Sequence, residues 1–421
     1  MGSPDITART LDESLQTLGG FSQGGPGVTR LLYSDAWCDA QLWLADRARE
    51  LGLAATTDAV GNLLFHDPSV QPGDLRRSVL MVGSHLDTVA GDGVLDGAYG
   101  VLAALLVTAA LRDRQALPVV GFASCAGEER RFGQCNPGAL GLLGLTRREE
   151  LDQARDREGV SWASALARAR ERGCAAPLAA SDHPCPALFH PALMLELHVE
   201  QGPLLESEGS DLGIVEQVAG CRRMRIRLTG EARYSGTTPM PMRRDALAAA
   251  AEMVLAAEHL ARRAGAPAVA TAGFLRAEPG NFNTVPGACE LGIEVRHAQR
   301  PKLVDLTAAI GQQCRKLAEE RGVEVVLEEA PGLEPVALSP ALGEAAANLA
   351  KRLKIPHLRM ASGAAHDAMV FARNGVPALL LFVPSRHGVS QSPDEFTAPG
   401  QLATGLRFLQ EFAGWLTDAR D

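Results

Sequence analysis

Four apolar runs constrain what this chain can fold into more than any other feature of its sequence. They read "SVLMVGSH" (78–85), "LPVVGFASCAGEE" (117–129), "PALMLELHVEQG" (191–202) and "VPALLLFVPSRHGVSQSPDE" (376–395). A strand that is apolar on both faces belongs inside a sheet that is covered on both sides. Helical stretches alternate with these runs, which predicts an α/β domain with a mostly parallel sheet. Open sheets of that kind bind ligands beyond the carboxyl ends of their strands. Each run ends in residues of ligand type: His85; Glu128 and Glu129; Glu196, His198 and Glu200; His387, Gln391 and Glu395. Four such ends point to one shared site, and imidazoles with carboxylates are the usual ligands of zinc-like ions.

The stretch "GSHLDTVAGDGVLDGAYG", Gly83 to Gly100, sharpens this expectation. Asp and Gly together also make ordinary solvated turns, so the stretch alone decides nothing; the other three strand ends do. Asp87, two residues after His85, reads as a brace that fixes the ring of His85 rather than as a ligand beside it. Asp96 follows a Gly-rich turn that can fold it back onto His85, and a carboxylate can bridge two cations. Asp92 reads as a turn residue. In "GEERR", Glu128 and Glu129 can divide the work, one binding metal and the other acting as general base on water. A solvated charge cluster is the alternative for that string, and its place at the end of an apolar strand argues against it.

Composition excludes several classes. A net charge of -9 with no basic block argues against a nucleic-acid or anionic-membrane surface. The start, "MGSPDITARTLDESLQTLGG", lacks a signal peptide's charged and apolar regions, and no apolar run approaches a membrane span. The 8 cysteines are scattered without a CxxC pair, which suits reduced thiols in a cytoplasmic protein. A chain of 421 residues suits two domains. From about Gly213 the texture changes to the order β-α-β-β-α-β, a ferredoxin-like α+β module. It is expected at 214–330, inserted between two parts of the catalytic domain, 1–213 and 331–421.

The stretches "GSHLDTV", "DGAYGVLAAL", "EERRF", "LELHVEQGPLLE", "SGTTPMPMRRDA", "NFNTVPG", "EVRH", "SGAAHDA" and "FVPSRHGVSQSPDE" span nearly the whole chain. In that order they resemble the zinc-dependent amidohydrolases that include N-carbamoyl-L-amino acid hydrolase, allantoate amidohydrolase and the bacterial-type β-ureidopropionase, relatives of aminoacylase and glutamate carboxypeptidase. The resemblance implies a homodimer, with the inserted module as lid and dimerisation domain. It implies His85, Asp96 and His198 around one divalent metal, with Asp96 bridging to a second held by Glu129 and the residue at Gln391. One or two ions per subunit are expected, zinc first, with manganese and cobalt as alternatives. Glu128 would be the general base. Gln201, Asn283 and Arg296 match substrate-contacting positions, Arg296 being suited to clamp a carboxylate bidentately, and His366 would line the site. The implied substrate is a small carboxylate bearing an N-carbamoyl, ureido or related N-acyl group, allantoate-type compounds included.

Two positions depart from the family pattern. Tyr234 stands where relatives have a histidine that stabilises the oxyanion, and Gln391 stands at the last metal-ligand histidine. A phenol donates one hydrogen bond but carries no charge near pH 7, and a neutral amide is a poorer zinc ligand than imidazole. His387, four residues earlier, is read as a loop residue. The expected activity is C–N hydrolysis; the rival reading is a binder or altered enzyme that keeps the pocket without the hydrolysis.

Overall fold

The computed structural model describes residues 8–114, 116–127 and 131–418. Its strands begin with β1 (Ala54–Thr57), β2 (Leu63–His66), β3 (Ser78–His85), β4 (Val119–Ser124), β5 (His190–Val199) and β6 (Leu212–Val218). There follow β7 (Gly220–Thr229), β8 (Arg233–Tyr234), β9 (Val269–Glu278), β10 (Thr284–Val285), β11 (Ala288–His297) and β12 (Glu324–Leu333). The last are β13 (Val336–Ala337), β14 (His357–Ser362) and β15 (Ala378–Val383). The chain divides into two compact units, the smaller made of Gln217–Val336 with Ala361–Gly363 and the larger of the remainder.

The large sheet has the order β1-β2-β4-β3-β5-β15-β6-β13, with β14 beside β6. At its centre β4, β3, β5 and β15 run parallel to one another, flanked by antiparallel neighbours at β2 and β6. These four strands are the four apolar runs of the sequence, so their carboxyl ends share one edge of the sheet. β4 and β15 are buried along their whole length, as expected of strands covered on both faces.

The helix Ala98–Ala110, "AYGVLAALLVTAA", is buried at every position through Ala109. A helix apolar all round belongs inside, and this one packs on β3 and β4 beneath the helices Ala8–Gly20 and Pro399–Asp418. Gly100 permits the approach: a Cβ there would collide with the Leu197 carbonyl of β5 and the side chain of Ser84 on β3.

In the smaller unit the sheet order is β12-β7-β11-β9, all antiparallel. Two helices, Ala246–Ala264 and Arg300–Arg321, share one core with this sheet. Strict alternation along β11 sends Cys289, Leu291, Ile293 and Val295 into that core. Glu290 and Glu294 face outward instead, where they pair with Arg225 (2.9 Å) and Arg223 (2.7 Å) across the strand. Exposed cross-strand pairs of this kind contribute only about 0.2–1 kcal/mol each. The unit's limits fall at 217 and 336, against 214 and 330 expected from the sequence.

Gly100→Ala is expected to destabilise the larger unit by about 1–3 kcal/mol, the usual cost of overpacking a close contact. All 4 tryptophans lie in that unit, so a shift in the urea midpoint followed by tryptophan fluorescence measures it directly.

Candidate active site

His85 is the last residue of β3, and His198 the last but one of its neighbour β5. Asp96 sits just before the helix Ala98–Ala110, at the far end of the Gly-rich loop. All three are buried, at 2%, 0% and 1% exposure. The two Nε2 atoms lie 3.3 Å apart, and Asp96 Oδ1 lies 3.1 Å from His198 Nε2 and 3.8 Å from His85 Nε2. Donors on one zinc ion at bonds of about 2.0–2.1 Å in tetrahedral geometry stand about 3.3–3.4 Å apart, so the spacing fits a cation. The tautomers fit as well. His85 Nδ1 faces the Asp87 carbonyl at 3.0 Å and His198 Nδ1 the Val199 carbonyl at 2.9 Å. A carbonyl can only accept, so in the neutral rings Nδ1 carries the hydrogen and each Nε2 turns a lone pair inward. Asp96 Oδ1 accepts no hydrogen bond among the described residues. Gly97 closes the loop at φ +64°, where a side chain would be strained and its Cβ would collide with the ring of His85.

Around the three donors is a layer of buried carboxylates. Asp87 accepts the Gly127 N–H (2.8 Å) and comes within 3.4 Å of His85 Nδ1. Glu395 Oε2 accepts the N–H groups of Leu95 (2.9 Å) and Asp96 (3.1 Å), and its Oε1 accepts the Ser390 hydroxyl (3.1 Å). That clasp ties the loop carrying Gln391 to the backbone of Asp96. Glu196, two residues before His198 on the same face of β5, accepts from Ser84 (3.0 Å) and from the Ala368 N–H (2.7 Å). Asp92 makes turn bonds to Gly93 and Val89. Glu200 caps the short helix Leu204–Ser207 through the N–H groups of Leu204 and Leu205.

So many buried acids hold protons. Burial first, then the charge of Asp96, raises Asp92 to about 8 and Glu395 to about 7. Burial and Asp367 raise Glu196 to about 7. Burial would lower His198, but Asp96 outweighs it and holds the ring at about 9. Burial likewise opposes ionisation of Asp96, yet His198, His85 and Gln201 keep its carboxyl below the usual range. The centre therefore demands a positive charge beside Asp96, supplied by a proton on His198 or by a cation.

The peptidase family M20/M25/M40 model matches residues 81–414 of the chain. The chain belongs to this family. It is 36% identical over 410 residues to the allantoate amidohydrolase of Bacillus subtilis, covering 95% of this chain and 94% of that one. With the N-carbamoyl-L-amino acid amidohydrolase of Geobacillus stearothermophilus it shares 34% over 410 residues, covering 96% and 97%. Among solved structures, an amidase of the hydantoinase/carbamoylase family from Burkholderia multivorans superposes with a TM-score of 0.86 at 29% identity, covering 98% of both chains. The family read from the motifs is thus the chain's own, and it is metal-dependent.

Within this M20 chain the other expected site residues fall in different places. Gln201, at φ +59°, donates from Nε2 to Asp96 Oδ2 (3.1 Å). His366 is buried and packs edge-on against His198, ring centres 4.7 Å apart; burial and the neighbouring His198 and His85 hold it well below the usual imidazole range. Gln391 is exposed and left-handed (φ +51°). His387 is exposed too, its backbone N–H donating to Glu206 (2.7 Å). In the smaller unit Tyr234 and Asn283 come together on the β8–β10 ribbon: Tyr234 pairs with Thr284, and the Asn283 carbonyl accepts from Ser235 (2.9 Å). Tyr234 is 57% exposed. Arg296 donates from Nε to Glu294 and from Nη1 to the Gly363 carbonyl, both at 2.6 Å. Glu128 and Glu129 lie outside the described residues.

Glu395 and Glu196 were visible in the sequence only as strand-end carboxylates without a role. The two-residue spacing from His198 was the one signal available for Glu196; Glu395 had none, because its contact with Asp96 spans 299 residues.

In metal-free protein, stability is expected to fall as pH rises. Folded Glu196 and Glu395 keep a proton to about 7 that the unfolded chain releases near 4.5, and folded His198 keeps one to about 9 against 6.5. For all three the native state binds the extra proton, so stability drops between about 4.5 and 7 for the carboxyls and between 6.5 and 9 for the imidazole. Chelator-treated protein should therefore melt lower at pH 8.5 than at pH 5.5, and added zinc should raise the melting temperature more at the higher pH. A Tm that climbs with pH in metal-free protein would contradict the assignment.

Proposed function

We propose that the chain is a metal-dependent amidohydrolase that cleaves the C–N bond of an N-carbamoyl or other ureido compound bearing a free carboxylate. The observation that carries this reading is the buried His85–Asp96–His198 triad at neighbouring parallel strand ends, in a chain that matches amidohydrolases over almost its full length. A non-hydrolytic binder is not favoured, since nothing in substrate binding alone calls for three buried, cation-spaced donors.

When bound, a divalent ion polarises the substrate carbonyl and lowers the pKa of water. The chain's own residues do the rest. Asp96 stays ionised because His198, His85 and Gln201 favour its charge, and its backbone is aligned because Glu395 accepts from its N–H. Glu128 takes a proton from the attacking water and returns it to the leaving amine. Arg296 binds the substrate carboxylate, exchanging one of its present partners for it. Tyr234 offers a neutral hydrogen bond to the developing oxyanion. Glu129 and Gln391 would complete a second metal position, with zinc, manganese and cobalt as candidates. The same reading includes a reducing, cytoplasmic setting; the 8 cysteines are free thiols, and among the described residues no helix is long and apolar enough to cross a membrane.

The same reading includes a homodimer joined through the smaller unit. β9, "VATAGFLRAE", is an edge strand ten residues long, paired only with β11, and its first seven residues carry no charge. An uncharged edge of that length is a template for a second chain.

Three measurements test the proposal. Ammonia release should be detectable on a panel of N-carbamoyl amino acids and allantoate, should vanish with chelator and should return with added metal. Glu128→Gln should lower kcat by a factor of about 10²–10⁴, the range expected for a lost general base; unchanged turnover would refute its role. Thr271→Lys with Leu275→Lys on β9 should convert dimer to monomer in light scattering, while an unaltered dimer would place the interface elsewhere.

A further inference from the structure

Arg30 is an arginine buried where no function has so far been asked of it. It is 1% exposed, among the most deeply buried side chains of the larger unit. Its Nε donates to the Leu86 carbonyl (2.8 Å) and its Nη1 to the carbonyls of Leu18 (2.9 Å) and Phe21 (3.3 Å). Among the described residues every one of these acceptors is a backbone oxygen, so the guanidinium is not half of an ion pair. Burial lowers its pKa to about 10, and the charges of Asp87 and Asp92 oppose that loss; it remains a cation at neutral pH.

The place of these bonds matters. Leu86 lies between His85 and Asp87, the carbonyl of Asp87 orients the His85 ring, and Asp87 also receives Gly127. Arg30 N–H donates to Thr88 Oγ1 (2.8 Å), and Thr88 N–H donates back to the Arg30 carbonyl (3.1 Å). Val28 pairs in both directions with Asp92 at 2.8 Å. Residues 28–30 therefore splint the loop from Leu86 to Asp92, which joins the two ends of the triad. An arginine committed only to carbonyls is a costly way to fill a core, whereas a fixed cation facing Asp87 and Asp92 favours negative charge beside the triad.

We propose that Arg30 is a positioning residue of the metal centre: its guanidinium fixes the Leu86 carbonyl between His85 and Asp87, and its charge offsets the buried carboxylates there. The inference rests on the metal-dependent reading above. Removal of groups that orient metal ligands costs about 10–100-fold in metal affinity, and that is the loss expected here. Zinc binding to chelator-stripped protein, followed by competition with a coloured chelator, should weaken at least tenfold in Arg30→Met. Arg30→Lys keeps the charge but cannot span carbonyls on both sides with one ammonium; it should fold and weaken zinc binding by an intermediate factor. If Arg30→Met does not fold, Arg30→Lys decides alone. A purely structural role would lower Tm and leave zinc affinity untouched, so a folded variant within twofold of the parent overturns the proposal. Zinc affinity of the parent tests the underlying reading separately: a parent that binds none overturns that reading, and this inference with it.

Discussion

The organising constraint of this structure is a carboxylate that must stay ionised where water cannot reach it. Asp96 is 1% exposed and touched by two imidazoles whose lone pairs face it and each other. Such an arrangement is unfavourable without a positive charge, and no described arginine or lysine pairs directly with the three donors. Either a proton on His198 or a cation resolves the conflict, and only the cation satisfies all three donors at once. The surrounding carboxylates deepen the demand rather than relieve it.

Everything nearby can be read as holding that unfavourable arrangement in place. Backbone carbonyls fix both ring tautomers. Glu395 reaches from the C-terminal loop to the backbone of Asp96, and Glu196 from the middle of β5 to the helix Asp367–Arg373. The parallel sheet matters because it alone lets distant segments meet at one edge: β3 and β5 are separated by more than a hundred residues yet pair side by side. The resemblance implies histidines at two positions that differ here. Tyr234 and Gln391 are both exposed, while the triad is fully intact and buried.

The boundary between what was legible and what was not follows chain distance. His85 and Asp96 stood out by local pattern, a strand ending in a histidine and a Gly-rich loop leading into an all-apolar helix; the family resemblance joined them with His198 as one set, and the fold brings the three donors within 4.8 Å of one another. Asp87 was expected as a brace of the His85 ring, and its carbonyl and carboxylate both lie against Nδ1. Glu395 was visible as a strand-end acid of the shared site, but its clasp on the backbone of Asp96 could not be read, since only the fold brings the two together. Arg296 had been read as a substrate clamp from its motif; only the structure shows that Glu294 and Gly363 already engage its guanidinium.

By itself the sequence determined the architecture and the chemistry available. Short continuous apolar runs alternating with helical stretches suit a covered parallel sheet, alternation in the middle of the chain suits a one-sided sheet, and His and Asp at the ends of such strands suit a ligand site. Tertiary structure alone decided which of the many strand-end acids became ionised donors and which became protonated struts. That choice depends on burial and on neighbours a few ångströms away, such as His198 beside Asp96 or Asp96 beside Glu395, and those neighbours come from parts of the chain whose order says nothing of their distance.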